Sequence, residues 1–471
     1  MALKPLMIGI LMLNTVLLFG SDGALGGSRY KQELVGICVQ DVTGKEQPTT
    51  LNADCPIVPA SVIKLVTTAT ALELLGPNYR FETTLAYTGT LKDGLLSGNL
   101  IIKGGGDPTL GSRHLGDQKD AFLDEWVALV KQAGITSIDG SIISDASLFD
   151  EEPLSPFWLW EDIGNYYAAG IFGLGVNDNS VTIHLQSGKA GTQPVVTKTE
   201  PELPLLRFEN HLVAADNDKD SAYVYGVPFQ WNRQLFGTLP ANRADFTIRG
   251  DLPDPPLHVA ELLTRALVKS GVTVKDKPTT TRVQPLSSTL RFTKVGSTRS
   301  EPLSRIIRII HEKSDNIYAE SLLRQLAGFA GSPPFSARGG LQVIRNFWQQ
   351  KGLNVKSLYM VDGSGLSPLD RVSPRFLADL LTYMATKSSY ASVFEQSLPL
   401  AGKEGSVSSF LTDSPITGLV RLKSGSNQTT TCYAGYYQKS TSKLAVVLMV
   451  NHTNVSRNQV RTDMQDYLLN R

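Results

Sequence analysis

Residues 33–42, "ELVGICVQDV", alternate apolar and polar positions with the period of two that marks a strand lying on a core. The next apolar stretch has a different period. In "SVIKLVTTATALELLG", Ile63, Val66, Ala69, Leu72 and Leu75 recur at helical spacing, and Gly76 before Pro77 supplies the stop. Helical periods return in "DAFLDEWVALVKQAGI", in "PPLHVAELLTRALVKSGV" and from residue 301 to about 396. Between them, "FETTLAYTGTLKDGLLSGNLIIKGGGDPTL" reads as strands and turns, "SIDGSIISDASLF" as one strand, and residues 180–250 as short strands among Gly, Pro and Asn. Near the C-terminus, "LVRLKSGS", "TTTCYAGYYQ" and "KLAVVLMVNH" predict three antiparallel strands joined by short turns, ahead of a last helix at 456–470. The pattern therefore predicts one α/β domain interrupted near residue 82 and resumed near 290, with about 200 residues inserted. No internal repeat is visible.

The 471 residues exceed what one core needs, which agrees with an inserted domain. A formal charge of +1, without any Lys/Arg block, creates no field that would select nucleic acid or an anionic membrane. At the N-terminus, "MALKPLMIGILMLNTVLLFG" places Lys4 before a short apolar run, and the small, polar "SDGALGG" follows. This order predicts a secretory signal over residues 1–24, cleaved near Ala24–Gly27, and an exported, periplasmic or wall-facing protein. The run is short against the roughly 20 residues of a membrane span, so membrane contact is expected to be peripheral at most, the alternative being an uncleaved anchor. Three cysteines can form at most one internal bridge, so disulfides are not the framework. Cys38 and Cys432 read as buried strand residues; whether Cys55 pairs with Cys38 stays open.

The candidate chemistry lies in three separate pieces. Ser61 and Lys64 form S-x-x-K and share one face of the predicted helix. The same spacing occurs at Ser28 and Ser440, but only Ser61 opens an apolar helix. Ser314 and Asn316 form S-x-N at a break between two helical patterns, where Ser, Asp and Asn also serve as ordinary N-caps. Lys423-Ser424-Gly425 ends an apolar strand, whereas the K-S-G at Lys269 is a helix end with a glycine stop. A serine hydroxyl needs a base beside it. A lysine serves only when neutral, so its pKa must fall from about 10.4 towards 7–8. Burial and a second cation such as Lys423 both push that way.

The order S-x-x-K, S-x-N, K-S-G and their placement at a helix start, an inter-helix loop and a strand resemble serine β-lactamases and penicillin-binding proteins. The long separation of Lys64 from Ser314, with "IIKGGGDPTL", "WEDIGNYYAAGIFGLGVNDNS", "DGSGLSP" at 362–368 and "AGYY", resembles the class C low-molecular-mass penicillin-binding proteins. These are D-Ala-D-Ala carboxypeptidase/endopeptidases, and the resemblance spans nearly all of residues 28–471. It implies an α/β (α+β) transpeptidase-like domain, an antiparallel sheet flanked by helices, formed by 25–82 and 290–471. Two mainly β insertions are implied, domain II at 83–178 and 250–289 and domain III at 179–249.

The resemblance also implies roles. Ser61 is the nucleophile and Lys64 its base. Ser314 relays the proton to the leaving amine, and Asn316 orients Lys64 and binds the substrate amide. The backbone N–H groups of Ser61 and Ser426 form the oxyanion hole. Lys423 and the hydroxyls of Ser424 and Ser426, around Gly425, hold the substrate carboxylate. Ser424 departs from the usual Thr; it keeps the hydroxyl and loses a methyl. Asp145 resembles an aspartate that reads the cationic amino end of the substrate, although a loop aspartate capping a turn explains it equally well. Peptidoglycan stem peptides are the implied substrates and β-lactams the implied covalent inhibitors, with no cofactor, metal or nucleic acid.

Other constellations fail. "HEKSD" has Asp315 where a zinc H-E-x-x-H helix needs its second histidine, and the six histidines are scattered. No G-x-S-x-G elbow is present, and "GGGDP" lacks the Lys-Ser/Thr of a phosphate loop. The aromatic cluster "PFWLWEDIGNYY" suits either sugar stacking or core packing. Two rival functions are a β-lactamase, which needs a deacylating base that the sequence does not supply, and a non-catalytic wall-binding scaffold. Penicillin labelling that survives denaturation separates an enzyme from the scaffold; fast turnover of the bound drug marks a β-lactamase.

Overall fold

The computed structural model describes Leu25 and residues 28–30, 33–287 and 289–471; the expected signal and nearly all of its cleavage window lie outside these residues. Among the described residues, no helix is long and apolar enough to cross a membrane. The catalytic part is built on a five-stranded sheet in the order Val420–Ser426, Thr430–Gln438, Lys443–Asn451, Leu34–Asp41 and Thr49–Leu51, antiparallel throughout. The strand pattern explains the layers. In "KLAVVLMVN", Ala445, Val447 and Met449 face one core, while Leu444, Val446, Leu448 and Val450 face another. A strand covered on both faces reads as a continuous apolar run because both sets of alternate positions are buried.

Helices Lys64–Leu75, Leu303–Lys313, Asn316–Leu326 and Pro374–Thr386 cover the first face. Arg457–Leu469 covers the second. Helix Lys64–Leu75 is buried from Lys64 to Leu72 on every side, so it runs through the core rather than over it. Gly76, with φ +79°, ends it by donating its N–H to Leu72 O.

Among the described residues, the inserted part carries four further sheets of three to five strands and the helices Ala121–Gln132 and Pro255–Lys269, packed on one shared core from Leu85 to Val272. Thr293–Arg299, which the expected boundary at 290 assigns to the catalytic part, pairs antiparallel with Glu82–Tyr87. The segment "SIDGSIISD", expected as one strand, forms two short strands, Ser137–Ile138 and Ile142–Asp145, because Asp139-Gly140-Ser141 break it between them. All three thiols are free, so Cys38 and Cys55 are not bridged.

Candidate active site

Ser61 stands on the 3-10 turn Ala60–Ile63 that feeds helix Lys64–Leu75, one turn earlier than the α-helix proper. Ala60 has φ +44°, a left-handed conformation that costs a residue with a Cβ about 1–3 kcal/mol. Two glycines hold this turn by close approach. A Cβ on Gly365 would stand 2.1 Å from Ala60 O, and one on Gly425 would stand 2.8 Å from Pro59 O and 2.9 Å from Ser61 N. Strand Val420–Ser426 therefore lies directly against the nucleophile's own amide, and only glycine permits that spacing.

Lys64 is buried, and its Nζ lies 3.0 Å from Ser61 Oγ, 2.6 Å from Asn316 Oδ1 and 2.6 Å from Ser364 O. The partners decide what the amine can do. The carbonyl oxygens of Asn316 and Ser364 only accept, so a neutral amine spends its two N–H bonds on them. Its lone pair is then left for the Ser61 hydroxyl proton. Asn316 cannot turn away, because its Nδ2 donates to Tyr167 O at 2.7 Å. Burial lowers Lys64 to about 8, against the carboxylates of Asp362, Glu320, Asp315 and Asp370, which hold it up. Lys423, equally buried, donates to Ser314 Oγ at 2.9 Å and Ser424 O at 2.6 Å. Burial first, and then the charge of Lys64, push Lys423 well down.

Ser314 ends helix Leu303–Lys313 at φ +57°, and Asp315 caps the next helix by accepting the Tyr318 N–H at 3.2 Å. The insert secures this loop: His114 Nε2 lies 3.2 Å from Asp315 Oδ2, and Arg113 lies 3.5 Å from the same oxygen and 3.4 Å from Asp178. The fold thus gathers His114, Asp178 and Asp315 within 4.8 Å, which their scatter in sequence hid. The Arg113 guanidinium already faces both of these carboxylates. On the other side, Asp362 accepts from Ser364 N, Gly365 N, Ser367 N and Trp158 Nε1, and so shapes the loop that offers Ser364 O to Lys64. Ser364 is a site residue that sequence reasoning missed, because it acts through its backbone; "DGSGLSP" was the visible trace. Burial holds His311, beneath the site, at about 3, hence neutral, between Thr68 and Ser397 hydroxyls at 2.9 Å each.

A cleft of about 940 Å³ opens over these groups, lined by Ser61, Ser314, Asn316, Gly365 and Ser426 from the catalytic part and by Glu161, Asp162, Tyr166 and Tyr167 from the insert. Lys64 and Lys423 lie beneath its floor. The Ser424 hydroxyl bonds Ser406 Oγ at 2.6 Å. The structure thus brings Ser61, Lys64, Ser314, Asn316 and Lys423 together, with Ser424, Gly425 and Ser426 on the adjoining strand. Asp145 does not join them. It lines a separate cavity within the insert, and its Oδ1 accepts the Ser147 N–H at 3.0 Å, a turn cap. Four acidic residues line the cleft: Asp178 and Asp315, which face Arg113, and Glu161 and Asp162, whose signal lay inside the aromatic cluster; burial raises Asp162, which accepts from Tyr167 Oη at 3.1 Å.

The D-Ala-D-Ala carboxypeptidase 3 (S13) family matches residues 22–470. The chain belongs to that family. S13 membership makes it a serine peptidase with a penicillin-binding-protein fold. The chain is 25% identical over 421 residues to the D-alanyl-D-alanine carboxypeptidase DacB of Haemophilus influenzae, covering 88% of this chain and 85% of the relative. It is 27% identical over 453 residues to the D-alanyl-D-alanine carboxypeptidase of Actinomadura sp. (strain R39), covering 91% and 80%. Among solved structures, penicillin binding protein 4 (dacB) from Haemophilus influenzae superposes with a TM-score of 0.78 at 23% identity over 93% of this chain and 96% of that one. The same protein complexed with a β-lactam gives a TM-score of 0.74 at 22% identity, over 93% and 95%.

Proposed function

We propose that this S13 enzyme is exported and removes the terminal D-Ala from peptidoglycan stem peptides through a Ser61 acyl-enzyme. The observation that carries the reading is the Lys64 amine, whose hydrogen-bond partners leave a lone pair directed at Ser61 Oγ. Neutral Lys64 takes the hydroxyl proton as Oγ attacks the penultimate D-Ala carbonyl. The backbone N–H groups of Ser61 and Ser426 stabilise the oxyanion; one such donor is typically worth about 3–4 kcal/mol in the transition state. The proton passes by Ser314, held by Lys423, to the leaving amine as the C–N bond breaks. Water then hydrolyses the ester by the reverse proton path.

Lys423, with the Ser424 and Ser426 hydroxyls, binds the free C-terminal carboxylate. Glu161 and Asp162, rather than Asp145, suit the cationic amino end of the stem. A crosslink to meso-diaminopimelate presents the same D-Ala carbonyl, so the site cuts crosslinks as well. A β-lactam acylates Ser61 and keeps its leaving amine tethered. The deciding assay treats purified muropeptides with the enzyme and reads the products by mass: loss of one D-Ala, or crosslink scission, supports the reading. Intact muropeptides, together with no penicillin label that depends on Ser61, refute it.

A further inference from the structure

One face of the inserted sheet carries aromatic side chains that fold energetics do not use. Strand Ser221–Tyr225 pairs antiparallel with Asn232–Pro240, Tyr223 opposite Phe236 and Tyr225 opposite Gln234. Val224 and Leu235, at the intervening positions, enter the core, so the other set must point outward. Tyr223 and Phe236 are 37% and 40% exposed, and Trp160, on the neighbouring loop, is 64% exposed. These rings are ordered against one another. Trp160 stacks on Tyr225 at 6.1 Å and 24°, and Tyr225 on Tyr223 at 6.3 Å and 28°. Single exposed aromatics are ordinary; a contiguous stacked row marks a binding surface.

Two further observations select the occupant. Trp160 and Tyr225 wall a groove of about 570 Å³ whose other side chains include Arg207, Glu209, Gln234 and Asn232, planar hydrogen-bonding groups interleaved with the rings. Gln234 Nε2 is already fixed by Glu209 Oε2 at 2.8 Å. Flat apolar faces beside planar amides and carboxylates match a pyranose, which has an apolar C–H face and a rim of hydroxyls. The groove also adjoins the catalytic cleft through neighbouring residues. Tyr223 lines the cleft and stacks on Tyr225, while Leu159 and Glu161, on either side of Trp160, face the cleft. Trp158, by contrast, is buried and bonded to Asp362, so the two tryptophans of the aromatic cluster divide into one structural and one exposed ring.

We infer that the Trp160–Tyr225 groove binds the N-acetylhexosamine glycan strand to which the stem peptide is attached, so that the enzyme recognises its substrate as glycopeptide. This rests on the peptidase reading above. The test compares kcat/KM for a glycan-linked stem pentapeptide and for an N-acetylated tripeptide ending in D-Ala-D-Ala, in wild type, Trp160→Ala and Trp160→Phe. The proposal expects Trp160→Ala to lose about fivefold to tenfold on the glycan-linked substrate alone, and Trp160→Phe to recover most of it. Equal loss on both substrates, or loss on neither, overturns it. In parallel, a β-1,4-linked N-acetylglucosamine tetrasaccharide should change tryptophan fluorescence saturably in wild type and not in Trp160→Ala. Absence of that change also overturns the proposal, as does sedimentation showing a dimer that Trp160→Ala abolishes without any saccharide response. If wild type cleaves neither peptide, the peptidase reading fails while the saccharide titration still decides the groove.

Discussion

The lowered pKa of Lys64 sets how acylation should depend on pH. A lysine at its ordinary 10.5 is neutral in about 0.03% of molecules at pH 7, whereas one at about 8 is neutral in about 9%, roughly 300-fold more base. The protonated form has no lone pair for Ser61. The second-order rate constant for acylation by a fluorescent penicillin should therefore rise about tenfold per pH unit below 7, bend near 8 and level above it. Stopped-flow measurement from pH 5.5 to 9.5 reads this directly. Lys64→Arg, permanently charged, should lower acylation at least about 1000-fold and abolish the bend, with melting used to check that the protein is folded. A midpoint near 4–5 would point to a carboxylate base, and a continued rise past pH 10 would mean that burial does not tune Lys64. Either result refutes the argument.

Gly425→Ala should lower penicillin acylation at least about 100-fold with a loss of about 1–3 kcal/mol in stability, read by labelling and urea unfolding. Its Cβ would meet Pro59 O, Val62 N and Ser61 N at 2.8–2.9 Å, all backbone atoms that cannot yield alone. Asp362→Asn should destabilise by about 2–4 kcal/mol and slow acylation, because an amide turns one N–H donor edge towards donors on a carboxylate that accepts from both sides. Lys423→Met should leave Ser314 Oγ without its donor and reduce peptide turnover at least about 100-fold, measured as D-Ala release. A thiol reductant should leave the melting temperature unchanged, since the three cysteines are free.

Much of the site was legible in the chain itself. Ser61 and Lys64 share one short apolar segment, so local helical geometry alone brings them together. The strands 420–426, 430–438 and 443–451 were readable because their period of two is strong and their turns short, and the S-D-N and K-S-G letters were visible as separate pieces. What the letters do not carry is distance between pieces. That Lys64 Nζ meets Asn316 and Ser364, and that Lys423 meets Ser314, follows from packing helix Lys64–Leu75 through the core between segments more than 100 residues apart in sequence. The same holds for Asp145, where local pattern gave an acidic loop beside a strand and tertiary placement put it in another cavity. Trp158 and Trp160 stand two residues apart with the same composition around them, yet one is buried and one exposed. Sequence by itself determined which chemical groups exist and which local elements carry them; burial, and with it the basicity of Lys64 and the outward face of Trp160, was decided only when distant segments closed around them, because desolvation is a property of neighbours in space.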